Sequence, residues 1–167
     1  MDQVQDSFRA STSGWLRGTA AGIATVLLGI AGFALMIGKG GDWGAWPLLL
    51  TALAGLVVLL KWTENMAAKY EITPDRLIVR RGIVFKSIDE IELYRVKDVR
   101  MNFSLLNQTA GIGTIRVLSS DETTRLGELI MRHIECAEER RETLRRLVDA
   151  ARQRRGVREI DMGHDSL

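Results

Sequence analysis

The sequence holds a single cysteine and only two histidines in 167 residues. Cys136 alone excludes an internal disulfide, which fits a reducing compartment. A structural zinc takes about four ligands. His133 and Cys136 stand in HxxC spacing with no second pair, so no metal site is assigned. His133 reads as a strand-end or helix-start residue, Cys136 as a small packing residue, and His164 as part of a loose tail. The stretch "GIGTIRV" lacks the third glycine of a dinucleotide fingerprint and the Gly-Lys-Ser/Thr of a P-loop. No nucleophile motif is present and no carboxylate pair stands out, so the reading is noncatalytic, with no cofactor. A net charge of +2 is too small to argue for nucleic acid, which calls for a concentrated basic stripe.

Charge is also scarce in the first third of the chain, although charged residues make up 26% of the whole. Between Arg17 and Lys39 lie 21 uncharged residues, and between Asp42 and Lys61 lie 18 more. Each can cross a hydrocarbon core of about 30 Å at about 1.5 Å per residue, the second only just. Only "KGGD" separates them, so a transmembrane helical hairpin is expected over 18–62, with helices at about 18–38 and 43–60. Pro47 falls in the first turn of the second helix, where its missing N–H costs nothing. A signal peptide would have a shorter core and no second apolar run, and a buried soluble hairpin would need more protein around it than this chain supplies. The tryptophans cluster at the ends, Trp15 and Trp62 at one face, Trp43 and Trp46 at the other, in the manner of an aromatic belt. With Arg17 and Lys61 they form the expected interface anchors. "GTAAG", Gly18 to Gly22, has the small-residue spacing that lets membrane helices approach, although a weakly hydrophobic helix start explains it equally well. Arg9 and Arg17 before the hairpin, and Lys61, Lys69 and Arg76 after it, outweigh Lys39 in the loop, which places both termini on the cytoplasmic side. Residues 1–17 are accordingly read as an N-terminal cytoplasmic segment.

After the junction "TENMAAK" the pattern alternates with period two. "KYEIT" and "RLIVRRG" read as strands joined at "PD", the second ended by Gly82. "IVFKSIDEIELYRV" continues with Ile88 out of phase and Ile91 and Leu93 on one face. Val96 and Val99 fall on opposite parities, which predicts a bulge or corner near Arg95. "VRMNF" resumes alternation through Val99, Met101 and Phe103. In "SLLNQTAGIG" Leu105 and Leu106 are expected to tuck onto the core, with Gly111 and Gly113 allowing a turn. "IGTIRVLSS" is a strand with Ile115 and Val117 inward, "DETT" a turn, and "RLGELIM" a further strand. From Ala137 the period becomes helical: Ala137, Leu144, Leu147, Val148 and Ala151 form one stripe, with Glu early and Arg late as the helix dipole prefers. Arg140, Arg141, Arg145 and Arg146 then belong to a solvated helix face. The folded domain is set at 67–159 and a flexible tail at 160–167.

The order of two membrane helices, "YEIT..RL.VRRG", "ELYRVKDV", "GIGTIRVLSSD" and an Arg-rich helix ending "RRGVRE" resembles the bacterial membrane-anchored pleckstrin-homology-like proteins, from roughly Trp15 to Glu159. Ala110 stands where Leu often precedes the first glycine of "GIG". The resemblance implies a mainly-β domain, a bent antiparallel sheet or partly open barrel closed at one end by the C-terminal amphipathic helix. It implies no catalytic residues, and a location in the bacterial cytoplasmic (inner) membrane as a multi-pass protein. The phosphate-gripping loop motif of eukaryotic relatives is not recognisable here, so inositide specificity does not carry over.

Within Tyr70 to His133, ten Lys and Arg face nine Asp and Glu, as expected of a mixed-charge outer surface with cross-strand pairs. Two groups nevertheless bracket turns: Arg80, Arg81 and Lys86, then Arg95, Lys97 and Arg100. They are the candidate contacts for an anionic ligand or partner. The leading expectation is a module for protein assembly or scaffolding at the membrane face, through another membrane protein or self-association. The alternative is binding of anionic lipid headgroups by this basic rim. An enzyme acting on a membrane substrate finds no supporting constellation.

Overall fold

The computed structural model describes residues 3–120 and 128–156. Asp6–Arg9 form β1, Thr12–Gly18 α1, Ala20–Trp43 α2 and Leu48–Met66 α3. Ala68–Ile72, Arg76–Arg81 and Ser87–Glu92 are β2, β3 and β4, and a 3-10 turn at Leu93–Arg95 leads into β5, Val96–Asn102. Then follow α4, Leu105–Thr109; β6, Ile112–Ser119; β7, Glu128–Glu135; and α5, Ala137–Arg155. β1 to β4 form one antiparallel sheet in that order, and β5-β6-β7 form a second.

The chain changes sheet at the corner expected near Arg95. Leu93 and Val96 are both buried there, and a register shift between Val96 and Asp98 absorbs the residue that put Val96 and Val99 on opposite parities. Leu77, Val79 and Ile91 from one sheet meet Ile115, Val117, Leu129 and Met131 from the other, and Leu144, Val148 and Ala151 of α5 complete this core. It is the bent, helix-closed sheet that the resemblance implied. "DETT" lies outside the described residues, as do 157–159 and the tail at 160–167.

The hairpin is an insertion within this domain, which corrects the reading of residues 1–17 as a separate segment. β1 pairs with β2 in the register Asp6↔Ile72 to Arg9↔Lys69, so the first strand of the sheet precedes the hairpin. No linker follows the hairpin either: α3 runs through "TENM" to Met66 and β2 begins at Ala68. At the other root α1 packs on α4 and β7, and the Ser11 N–H donates to the His133 carbonyl, 2.8 Å. Asn65, buried near the end of α3, donates through its side-chain nitrogen to the Thr12 hydroxyl at 2.9 Å, tying the two roots together.

Several local expectations are corrected. α2 continues through "KGGD" to Trp43, so the hairpin turns at 44–47, with Gly44 at φ +58° and Pro47 as the cap before α3. Trp15 is buried, 7% exposed, with the Lys61 ammonium 5.9 Å from its ring centroid, so it braces α3 and does not face lipid. Gly18 and Gly22 do not serve helix pairing: a Cβ at Gly18 would meet Ala110 and Ile112, and one at Gly22 the Trp15 carbonyl. α2 and α3 approach instead at Gly29 and Gly32, where the Thr51 hydroxyl donates to the Gly29 carbonyl at 3.1 Å. Leu105, Leu106 and Phe103 lie exposed, off the core. Gly113 sits within β6, where a Cβ would come 2.7 Å from that of Ala137. Cys136 is exposed at φ +49° and caps α5 rather than packing. Arg140 leaves the solvated face to pair with Asp6 at 2.9 Å and cover the Phe8 ring at 4.5 Å.

Candidate functional site at the root of the hairpin

β3 runs antiparallel to β2, and β2 leads directly away from α3, so the Arg80–Arg81 end of β3 returns to the helix root. The Gly82 N–H donates to the Ala67 carbonyl at 2.7 Å and fixes that meeting point. A cleft of about 250 Å³ opens there, lined by Arg9, Met66, Lys69, Arg80, Arg81 and Lys86 among others. Arg9 comes from β1, and its guanidinium meets the Met66 sulfur at 3.2 Å. Glu71, a buried carboxylate, accepts from two of the lining residues, the Lys69 ammonium at 2.7 Å and the Arg80 guanidinium at 3.1 Å. These partners, Lys69 foremost, hold its carboxyl below the usual carboxylate range. Arg81 pairs with Asp89 at 3.2 Å. Arg9 and Lys86 make no ion pair among the described residues, so the cleft keeps positive charge.

The six candidate residues do not form one patch. Arg80, Arg81 and Lys86 share the cleft, whereas Arg95 and Lys97 lie at the far end of β4, about 20 Å away at about 3.3 Å per strand residue. Arg95 pairs there with Glu92 at 3.2 Å, and Arg152 donates to the Lys97 carbonyl at 3.4 Å. The Tyr94 hydroxyl, and then Arg95, lower the carboxyl pKa of Glu92. Arg100 stands on β5 between the ends, 2.7 Å from Asp98. Among the residues expected as interface anchors, Trp46 and Trp62 are exposed, 75% and 50%, and Arg17 is exposed on α1. Lys61 is half-buried against Trp15 and 2.7 Å from Glu64. Trp43 closes α2. No three His, Cys, Asp or Glu side chains gather as metal ligands among the described residues. Arg9 and Lys69 were missed as site residues; their only sequence signal was basic character at two strand ends that the β1–β2 pairing brings together.

Gly82 carries the geometry of the site. Its φ is +97°, and a Cβ would fall 1.7 Å from the Phe85 carbonyl oxygen, a backbone atom that cannot move without opening the turn. Gly82→Ala is expected to cost about 1–3 kcal/mol from backbone strain alone. A thermal melt of the full chain in detergent checks it, and an unchanged melting temperature would refute the role.

Neither a curated protein nor a solved structure matches the chain. A family model described as a bacterial PH domain matches residues 15–148, which span the apolar hairpin, strands β2 to β7 and most of α5, and the chain belongs to that family.

Proposed function

We propose that the chain is a noncatalytic module of the bacterial cytoplasmic membrane. In this reading the α2–α3 hairpin spans the bilayer, the N-terminus and the PH-like domain lie in the cytoplasm, and the cleft at the hairpin root takes the phosphate of anionic lipid headgroups. The observation that carries it is the position of Arg9, Lys69, Arg80, Arg81 and Lys86 around a cleft beside Met66, the last residue of α3. Only 17% and 11% of the apolar windows of the two helices are buried, which suits helices facing hydrocarbon and not the core of a soluble fold. Each Lys or Arg near an anionic surface contributes about 1 kcal/mol, so several around one cleft can hold a headgroup. Assembly with another membrane protein or a second copy is the other reading, supported by the exposed apolar flanks of both helices, among them Leu27, Phe33, Leu56 and Leu59.

The test uses the full chain in neutral detergent, titrated with dioctanoyl phosphatidylglycerol, dioctanoyl phosphatidylcholine or inorganic phosphate. Phosphatidylglycerol is expected to raise the melting temperature, phosphate to act more weakly and phosphatidylcholine not at all. Arg80→Gln with Lys86→Gln is expected to remove the difference. Equal response to the two lipids would overturn the headgroup reading.

A further inference from the structure

Two loops beside the hairpin roots expose apolar side chains that the core does not use. The β3–β4 turn presents Ile83, Val84 and Phe85, the last two 82% and 91% exposed. The β5–α4 connection and the first turn of α4 present Phe103, Leu105 and Leu106, with Leu105 82% exposed. Both are placed by the anchor. The first turn begins at Gly82, hydrogen-bonded to Ala67 just after α3, and β3 carries it toward the hairpin. The second opens α4, which packs on α1, while Ala110, the C-terminal cap of that helix, lies under Gly18, two residues before α2 begins.

Helix rise fixes the depth. From Trp62, half exposed on α3, to Ala67 is about 7.5 Å at about 1.5 Å per residue, comparable with the interfacial layer of about 5–8 Å on each side of the hydrocarbon. Gly82 therefore lies at headgroup level when Trp62 lies at the hydrocarbon edge. The turn closes with the Phe85 carbonyl beside Gly82, so Val84 and Phe85 stay within one turn of that level and it is their exposed side chains that can enter the acyl region. Arg80, Arg81 and Lys86 flank the apolar trio, the arrangement of a segment whose tip enters acyl chains while its collar meets phosphate.

We propose that Ile83–Phe85 and Phe103–Leu106 are two apolar prongs that enter the same leaflet on either side of the hairpin. Together they clamp the domain flat on the bilayer and press the basic cleft onto the headgroups. The occupant is the bilayer itself, because both prongs are continuous with the helix roots. The inference rests on the hairpin spanning the membrane, and its test separates the two.

The full chain, with Cys136→Ser, is labelled with an environment-sensitive fluorophore at one new cysteine and reconstituted in nanodiscs of phosphatidylethanolamine and phosphatidylglycerol. Val84→Cys and Leu105→Cys report the prongs, with Phe85→Cys as a second position on the first turn. Leu27→Cys reports the hairpin, and Asp149→Cys the exposed face of α5. Doxyl-labelled lipid is expected to quench both prong labels several-fold more than the Asp149 label and to an extent comparable with the Leu27 label, while aqueous iodide quenches only the Asp149 label. Prong labels that behave like the Asp149 label, with the Leu27 label still lipid-quenched, overturn the prongs and leave the hairpin standing. Prong labels shielded from both quenchers are covered by protein, a partner or a second copy, and overturn the proposal too. A Leu27 label untouched by lipid removes the spanning hairpin and the prongs with it.

Discussion

A chain that begins at Ala67 is expected not to fold, although that is where the sequence pattern places the start of the domain. Such a chain lacks β1, and β2 becomes an edge with Tyr70 and Ile72 uncovered. Phe8 is buried, stacked on Tyr70 with ring centroids 5.6 Å apart, and roofed by Arg140, which also binds Asp6. Truncating a buried Phe alone costs about 3–5 kcal/mol, against about 5–15 kcal/mol of total stability for a domain. Removing the strand also deletes its ladder hydrogen bonds and leaves Arg140 without its carboxylate. Two measurements check this. In the full chain, Phe8→Ala is expected to lower the denaturant midpoint by an amount equivalent to about 3–5 kcal/mol. Residues 67–156 alone are expected to give collapsed amide dispersion and no near-ultraviolet circular dichroism. Restoring 3–9 ahead of residue 68 through a short turn is expected to recover part of that signal, because Arg9 and Lys69 are already paired neighbours. A cooperative, native-like melt of the chain from Ala67 would refute a structural role for β1.

That strand also shows where reading the sequence stops. β2 is legible because Lys69, Tyr70, Glu71 and Ile72 alternate, β3 because Leu77 to Val79 form a short apolar run between the turn at Pro74 and Gly82, β6 because Ile115 and Val117 recur at period two, and α5 because Ala137, Leu144, Val148 and Ala151 recur with helical period. The corner at Arg95 was legible for the same reason: a parity break in a period-two pattern has to be absorbed somewhere. β1 offers one buried residue in four, and its strand character comes from a partner some 60 residues on, which no local pattern encodes. Trp15 was misplaced because a tryptophan at the edge of an apolar run has the composition of a belt residue. Only the break between α1 and α2 at Thr19, whose hydroxyl accepts from Gly22 N–H at 3.0 Å, turns it back onto Lys61 and the domain. Leu105 and Leu106 were assigned to the core on hydrophobicity alone, and the fold gives them no core to enter. The two basic groups that bracket turns lie close together in sequence. A strand, however, separates them in space, so half of the candidates fall at the root of the hairpin and the others elsewhere.

Glu71→Gln is expected to strengthen binding of phosphatidylglycerol, the opposite of what removing Arg80 or Lys86 does. Glu71 occupies the Lys69 ammonium and the Arg80 guanidinium, both of which line the cleft, so it competes for the cations that a headgroup phosphate would use. Removing one negative charge beside an anion is worth about 1 kcal/mol, or about fivefold in affinity. The cost in stability is small by comparison, since Lys69 and Arg80 are part-exposed and such pairs contribute about 0–1 kcal/mol. The pH dependence follows from the lowered pKa of Glu71, caused first by Lys69. A carboxylate whose folded pKa lies below its unfolded value stabilises the fold above the unfolded value, and that stabilisation fades as pH falls through the folded value. The wild-type chain is therefore expected to gain headgroup affinity in acid only below the ordinary carboxylate range, while Glu71→Gln holds its higher affinity throughout. In titrations with dioctanoyl phosphatidylglycerol between neutral pH and pH 4, at low and at high salt, the wild-type chain is therefore expected to stay weaker than Glu71→Gln, its own gain lying at lower pH. Salt is expected to weaken both proteins because the contacts are ionic and partly solvated. Equal affinities for the two proteins at neutral pH would mean that the headgroup does not use Lys69 and Arg80, and the cleft would lose its claim to be the site.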